Sequence, residues 1–209
     1  MFHVKHGESR RELLRASSSA IGVELEPSGL DALLTFEGLL REKAVPYGIV
    51  STSDHARLLE RHILDSLRAA EAVGPVDRTA LDLGSGAGLP GVVVAAAMPP
   101  LEVTLVESQR RRVAFLEVVS ERLALPNLRI SAARVEELPP GTSVDLCFAR
   151  AFAPPDRAWR VAEPLLAAGG RLVYFAGEDA VVQAPPGARI EARLHSRLEV
   201  GGPLVIMAR

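Results

Sequence analysis

Hydrophobic positions along the 209-residue chain fall into two regimes that meet near Pro75. From Glu8 to about Gly74 no strand-like alternation occurs, and apolar residues recur at three-and-four spacing, which predicts three helices. The clearest runs through Leu30, Leu33, Leu34, Phe36, Leu39 and Leu40, with Ser28 as its expected N-cap. The third is expected to begin near Asp54 and to turn Leu58, Leu59, Ile63, Leu64 and Leu67 inward. Arg61, His62, Asp65 and Ser66 then fall at its edge or in solvent, where Arg61 and Asp65 stand four apart, the spacing of an exposed ion pair, as do His62 and Ser66. The first dozen residues, with His3, Lys5 and His6, read as a flexible terminus.

Beyond Pro75 the pattern becomes short continuous apolar runs separated by helical ones. Ala80 to Leu83, Val103 to Val106, Leu128 to Ile130, Val144 to Phe148 and Leu172 to Phe175 read as parallel strands buried on both faces. Val92 to Met98, Arg110 to Leu123 and Asp156 to Leu166 are the helices between them, and the alternation predicts an α/β doubly wound sheet. Arg189 to His195 and Leu204 to Met207 follow without a long helix between them, as an antiparallel hairpin at the sheet edge would. The expected organisation is a helical extension over residues 1–74, packed on a core over 75–209 as one structural unit.

Composition narrows the class. At 48% hydrophobic and 24% charged residues the chain is an ordinary globular one, neither disordered nor collagen-like. One cysteine, no signal segment, no apolar run long enough for a membrane span and no lipidation motif together point to the cytoplasm, with no membrane partner. The net charge of -2 and pI of about 6.2 give no global basic footprint, so a nucleic-acid partner would have to use a local patch. All cations but Lys5 and Lys43 are arginines, whose planar fork suits phosphate and guanine alike.

The candidate chemistry lies in Leu81-Asp82-Leu83-Gly84-Ser85-Gly86-Ala87-Gly88-Leu89-Pro90-Gly91, a strand entering a glycine-rich turn and then a helix. Glycines at such a turn let a ligand lie against bare backbone at the carboxyl edge of the sheet. A dinucleotide fingerprint needs its third glycine where Leu89 stands, and the Gly-Lys-Ser/Thr ending of a triphosphate loop is absent. What remains is Gly-x-Gly-x-Gly preceded by Asp82 and followed, at the end of the next strand, by Glu107. A carboxylate there can accept both hydroxyls of a ribose, so the expected ligand is an adenosine without a pyrophosphate. The pattern resembles the class I methyltransferases, Rossmann-like enzymes that bind S-adenosylmethionine.

Several segments together are similar to one family, the bacterial ribosomal RNA small-subunit methyltransferase G, also called glucose-inhibited division protein B. They are Glu60 to Leu67, the Asp82 to Gly91 loop with its Leu-Pro-Gly tail, and Val106-Glu107-Ser108 followed by Arg111 to Leu116. Arg134 to Glu137 and Ala149-Arg150-Ala151-Phe152-Ala153 complete the set. The resemblance covers nearly the whole chain from about Glu8 and implies methylation of guanine N7 in 16S ribosomal RNA, free or in a small-subunit particle. It further implies that Gly84 and Leu89 contact S-adenosylmethionine, that Val135 and Glu136 lie near its adenine, and that Arg150 stands where methionine and target base meet. Glu107 is assigned to the ribose on both grounds, and Gly86 and Gly88 would let the loop approach the cofactor. Two stretches depart from the family: Tyr47-Gly48-Ile49-Val50-Ser51 replaces its usual Asn-Leu-Thr, and Ala176-Gly177 replaces its Lys-Gly after the fifth strand.

N7 of guanine offers a lone pair without losing a proton, so no general base is expected, and the absence of a tyrosine after Pro154-Pro155 fits a ring nitrogen better than an exocyclic amine. Arg150 could bind guanine O6, a phosphate or the methionine carboxylate. Cys147, inside an apolar strand, is expected to be a buried inert thiol. His62, Asp65, Arg111 and Arg112 are candidate RNA contacts beside plainer readings as a structural hydrogen-bonder, an ion pair and a solvated helix face. Phe152 could stack on the target base or pack near Trp159. His3, His6, His55 and His195 lack ligand spacing, and no metal is expected. A small-molecule methyltransferase of this fold and a non-catalytic S-adenosylmethionine-binding assembly module are the alternative functions.

Overall fold

The structure, a computed structural model, describes residues 2–195, 197–198 and 200–209, with side chains described from Ser9 onward. Seven strands form one sheet in the order β3-β2-β1-β4-β5-β7-β6. β1 (Thr79–Leu83), β2 (Glu102–Val106), β3 (Leu128–Ser131), β4 (Val144–Arg150) and β5 (Leu166–Phe175) run parallel. β6 (Arg189–Leu194) and β7 (Leu204–Ala208) pair antiparallel, as the sequence pattern anticipates, and β7 also pairs antiparallel with β5, leaving β6 at the edge. Because both faces of the central strands are covered, their side chains serve two cores in turn. Leu146 and Phe148 of β4 join one apolar cluster, while Cys147 and Ala149 join the other.

The larger cluster unites the sheet with α2 (Pro27–Leu39), α4 (Gly91–Ala97), α5 (Arg110–Leu123) and the segment over residues 52–72. The smaller one is centred on the fully buried Trp159 of α6 (Pro155–Ala162). Three expectations change here. The amino-terminal dozen is helical: α1 runs Phe2–Ala20, held to α2 by Arg11 on Asp31 and by Arg10 on Glu37 at 3.7 Å, although the side chains of His3, Lys5 and His6 lie outside the described residues. α2 is capped by the extended Glu26 and not by Ser28, because Pro27, with fixed φ and no N–H, suits the first helical position. α6 stops at Ala162, where Pro164 cannot continue the helix. A 3-10 turn, Glu163–Leu165, leads straight into β5, whose early start is hidden in sequence by Gly169-Gly170.

The segment over residues 52–72 is continuous but not uniformly α-helical. A 3-10 turn, Thr52–Arg57, is followed by a π-turn, Leu59–Leu64, one α-turn, α3 (Asp65–Leu67), and a second 3-10 turn, Arg68–Ala72. Wide π-turns recur at functional sites because they re-aim side chains, and this one carries Arg61 and His62 to the carboxyl edge of β4.

Candidate active site

The turn after β1 is built from beneath. Asp82 is fully buried and accepts the Gly91 N–H at 3.0 Å, pinning the start of α4 to the strand, while its Oδ1 finds no partner. Burial pushes its carboxyl up to about 7, against the pull of the Gly91 hydrogen bond. Gly84, Gly86 and Gly88 all have positive φ, +65°, +59° and +87°, which L side chains rarely adopt. Their surroundings separate their roles. At Gly86 an added Cβ would meet only the Gly84 carbonyl, at 3.8 Å. At Gly88 it would strike Val92 at 2.6 Å, so this glycine seats the loop on the core and does not open it to a ligand as the sequence reading has it. At Gly84 it would strike the Phe152 ring at 2.7 Å.

Glu107 meets this loop from the end of β2. Its Oε2 accepts the Gly86 N–H at 2.9 Å, and its Oε1 accepts the N–H groups of Ser108 and Gln109, both at 2.8 Å. The Arg112 guanidinium lies 3.5 Å from Oε2. The carboxylate is thus fixed against the bare loop, although a ribose would have to take over one of these positions.

Above the loop a cleft of about 220 Å³ opens between Gly84 to Ala87 and Leu89 on one side and Ile49 to Ser51, His62, Arg112, Arg150 and Ala151 on the other. A second recess of about 280 Å³ shares Arg150 and His62 with it and is otherwise lined by Asp54, Arg57, Glu60, Arg61, Asp65 and Glu178, with Val200 and Gly201. Arg150 therefore stands as the partition. Its Nε donates to Asp65 Oδ2 at 3.1 Å and its Nη2 to the Arg61 carbonyl at 2.9 Å, while Nη2 also lies 3.3 Å from His62 Nδ1. Arginine has no acceptor, so His62 Nδ1 must be the bare nitrogen and its Nε2–H must donate to Asp54 Oδ2 at 3.1 Å. Burial, then the Arg150 charge, holds the imidazole below its ordinary pKa in spite of Asp54, which keeps this neutral tautomer. Ala151, beside Arg150, has a left-handed φ of +52°, a strained backbone of the kind that clusters at active sites.

Asp65 is the main correction to the sequence reading. It is buried, not exposed, and bonds Arg68 Nη1 at 2.8 Å as well as Arg150, whereas Arg61 pairs with Asp54 at 2.8 Å. The cause is remote in sequence: Arg68, 1% exposed, also donates to the carbonyls of Val200 and Gly202, so the loop before β7 closes over this turn. Ser66 is likewise buried.

Of the remaining candidates, Gly84, Gly86, Leu89, His62, Arg112 and Arg150 share the cleft, while Asp82 and Gly88 lie behind its floor. Val135 is buried in the smaller core and Glu136 is exposed on the 3-10 turn Val135–Glu137, neither lining the cleft. Phe152 is half-buried, lying over Gly84 and against the Trp159 cluster. Arg111 faces a separate groove. Cys147 is fully buried and its thiol is pushed up by desolvation, consistent with an inert core residue. Ile49, Val50, Ser51, Asp54 and Ala151 carry no site signal of their own in the sequence, apart from the departure from the family pattern at Tyr47 to Ser51.

Comparison with solved structures finds the same architecture. A methyltransferase from Aquifex aeolicus described as SAM-dependent superposes with a TM-score of 0.57 at 19% identity, over 78% of this chain and 98% of that one. A variant of MtNAS in complex with S-adenosylmethionine gives 0.56 at 18%, over 86% and 72%. These likenesses show the fold, the Rossmann-like architecture of class I methyltransferases. The family model described as rRNA small subunit methyltransferase G matches residues 30–186. Ribosomal RNA small subunit methyltransferase G of Salinispora arenicola is 40% identical over 172 residues, 79% of this chain and 71% of that protein. The Burkholderia thailandensis protein of the same name is 35% identical over 193 residues, 88% and 84%. The chain belongs to the rRNA small subunit methyltransferase G family.

Proposed function

We propose that the protein transfers the methyl group of S-adenosylmethionine to N7 of a guanine in 16S ribosomal RNA, in the cytoplasm and on free RNA or a small-subunit particle. Family membership supports the reaction class. The observation that carries the assignment of the site is the pair of recesses divided by Arg150. The glycine-floored cleft is suited to the cofactor and the neighbouring recess to the target base. The open face of Gly86 and the anchored Glu107 carboxylate fit a nucleoside laid on bare backbone.

When bound, S-adenosylmethionine supplies an electrophilic methyl group on a sulfonium sulfur. Gly84, Gly86 and Leu89 would hold it, with Glu107 on the ribose; Val135 and Glu136, which lie outside the cleft, would meet the adenine only where it extends past the cleft. N7 presents a lone pair and loses no proton, so the protein's task is alignment and exclusion of water, worth about 7–11 kcal/mol when well executed. As N7 becomes cationic, a bare guanidinium beside it would oppose the reaction. The Asp65 carboxylate, 3.1 Å from Arg150, offsets that charge. The recess carries four carboxylates, Asp54, Glu60, Asp65 and Glu178, against three guanidiniums, Arg57, Arg61 and Arg150, so its lining is not strongly cationic.

The test is incubation of the protein with labelled S-adenosylmethionine and 16S RNA, or small-subunit particles, from cells lacking the gene, followed by mapping of the label. Incorporation at guanine N7 is expected. Label in small metabolites alone, or cofactor binding with no transfer, would replace this reading with the small-molecule enzyme or the non-catalytic module.

A further inference from the structure

On the helical side of the cofactor cleft lies a groove of about 240 Å³ that the reaction as described does not use. One wall is α5, which presents Arg111, Ala114, Phe115 and Val118, the three-and-four spacing of a single face. The other wall is Lys43 and Tyr47, with Ile49 at the end shared with the cleft. Tyr47 is 63% exposed and is the one largely exposed aromatic side chain among the described residues. No carboxylate lines the groove, and among the described residues neither Lys43 nor Arg111 has a carboxylate within 4.0 Å.

This arrangement is costly for the fold alone. Arg110, Arg111 and Arg112 occupy the first turn of α5 with no acidic residue beside them in that turn, so they oppose the helix dipole. Among the described residues only Arg112 is compensated, by Glu107. An exposed ring over an apolar floor, flanked by two unpaired cations in a chain of net charge -2, matches an unpaired nucleotide: base on the aromatic and aliphatic surface, phosphates at the cations.

We infer that the Tyr47 groove binds an unpaired nucleotide of the substrate RNA outside the target-base recess, by stacking on Tyr47 and phosphate contact with Lys43 and Arg111. Resting on the RNA methyltransferase reading, the inference adds to it a subsite that fixes which stretch of RNA is presented. Ile49 lines both the groove and the cofactor cleft, which in turn shares His62 and Arg150 with the recess assigned to the target base.

Tyr47→Ala, Tyr47→Phe and the pair Lys43→Gln with Arg111→Gln provide the test, with methyl transfer measured on 16S RNA or particles from cells lacking the gene and cofactor affinity measured by calorimetry. Tyr47→Ala should raise KM for RNA about tenfold, the scale of one lost base stack, leave cofactor affinity unchanged, and be rescued by Tyr47→Phe. The double variant should flatten the salt dependence of RNA binding by roughly one to two in the log-log slope. A photoreactive benzoylphenylalanine at position 47 should crosslink to RNA. If the parent methylates RNA while the variants keep its KM and salt slope, or if the crosslink forms to a ribosomal protein, the groove is not an RNA subsite and the functional reading stands. If the parent methylates no RNA, both fall together.

Discussion

The shifted titrations of Asp82 and His62 each have a measurable consequence. Asp82 ionises near 3.8 in the unfolded chain but stays protonated to about 7 in the fold, chiefly because it is buried. Between those values the folded state binds the extra proton, so this site's contribution to stability falls as pH rises from about 4 to about 7 and is fully lost above. Asp82→Asn retains an acceptor for the Gly91 N–H without titrating. Urea denaturation at about pH 5 and about pH 8 should show the variant losing less stability than the parent, by on the order of one to a few kcal/mol. Parallel pH curves would mean that Asp82 stays charged. His62 is displaced the other way. Its folded pKa lies below 6.5, so its contribution is present above 6.5 and is lost as pH falls through the folded value. Protonation puts a hydrogen on Nδ1, where Arg150 needs an acceptor. Methyl transfer should therefore decline on the acid side, and His62→Asn, whose amide oxygen can accept from Arg150, should flatten that limb.

At the scale of elements, the π-turn and α3 are held to the sheet by charge as much as by packing. Asp65 accepts from Arg68 within its own segment and from Arg150 at the end of β4, and Arg68 in turn grips the loop before β7. Removing the carboxylate leaves a guanidinium that is 1% exposed without its counter-ion. Asp65→Ala should cost about 3–5 kcal/mol in denaturant unfolding. It should also lower methyl transfer beyond the loss of folded protein, because Arg150 would be freed from its partition. Unchanged stability would show that the carbonyls of Val200 and Gly202 suffice for Arg68. This network is also where the sequence is least readable. Helical spacing put Asp65 and Arg61 on a solvated face, but burial there is decided by a loop more than 130 residues away, which local periodicity does not encode.

For the whole molecule, the legible features are those that depend on neighbours in sequence. The glycine turn, the acid closing β2 and the alternation of buried strands with helices declare themselves locally, and the sheet has the expected strands, including the antiparallel pair. Arg150 emerged from the family likeness, and only the fold shows it dividing two recesses. Ile49 to Ser51 reach the cleft through a chain path that no pattern specifies, and the early start of β5 is masked by its glycines. The assembled site predicts a ligand-linked gain in stability: at a hundredfold excess over Kd, S-adenosylmethionine or its demethylated product should add about 2.7 kcal/mol. For a chain of this size that is a rise of roughly 5–10 °C in Tm. A melting curve unmoved by either compound would remove the cofactor cleft from the account.

The position of β7 has a bearing on biosynthesis. Leu204–Ala208, buried throughout, fills an interior place in the sheet, so β6 acquires its neighbour only after residue 208 has cleared the exit tunnel. Until then a nascent chain presents β5 and β6 as open edges, and polypeptides halted before Leu204 should be markedly more prone to proteolysis and to self-association than those that include β7.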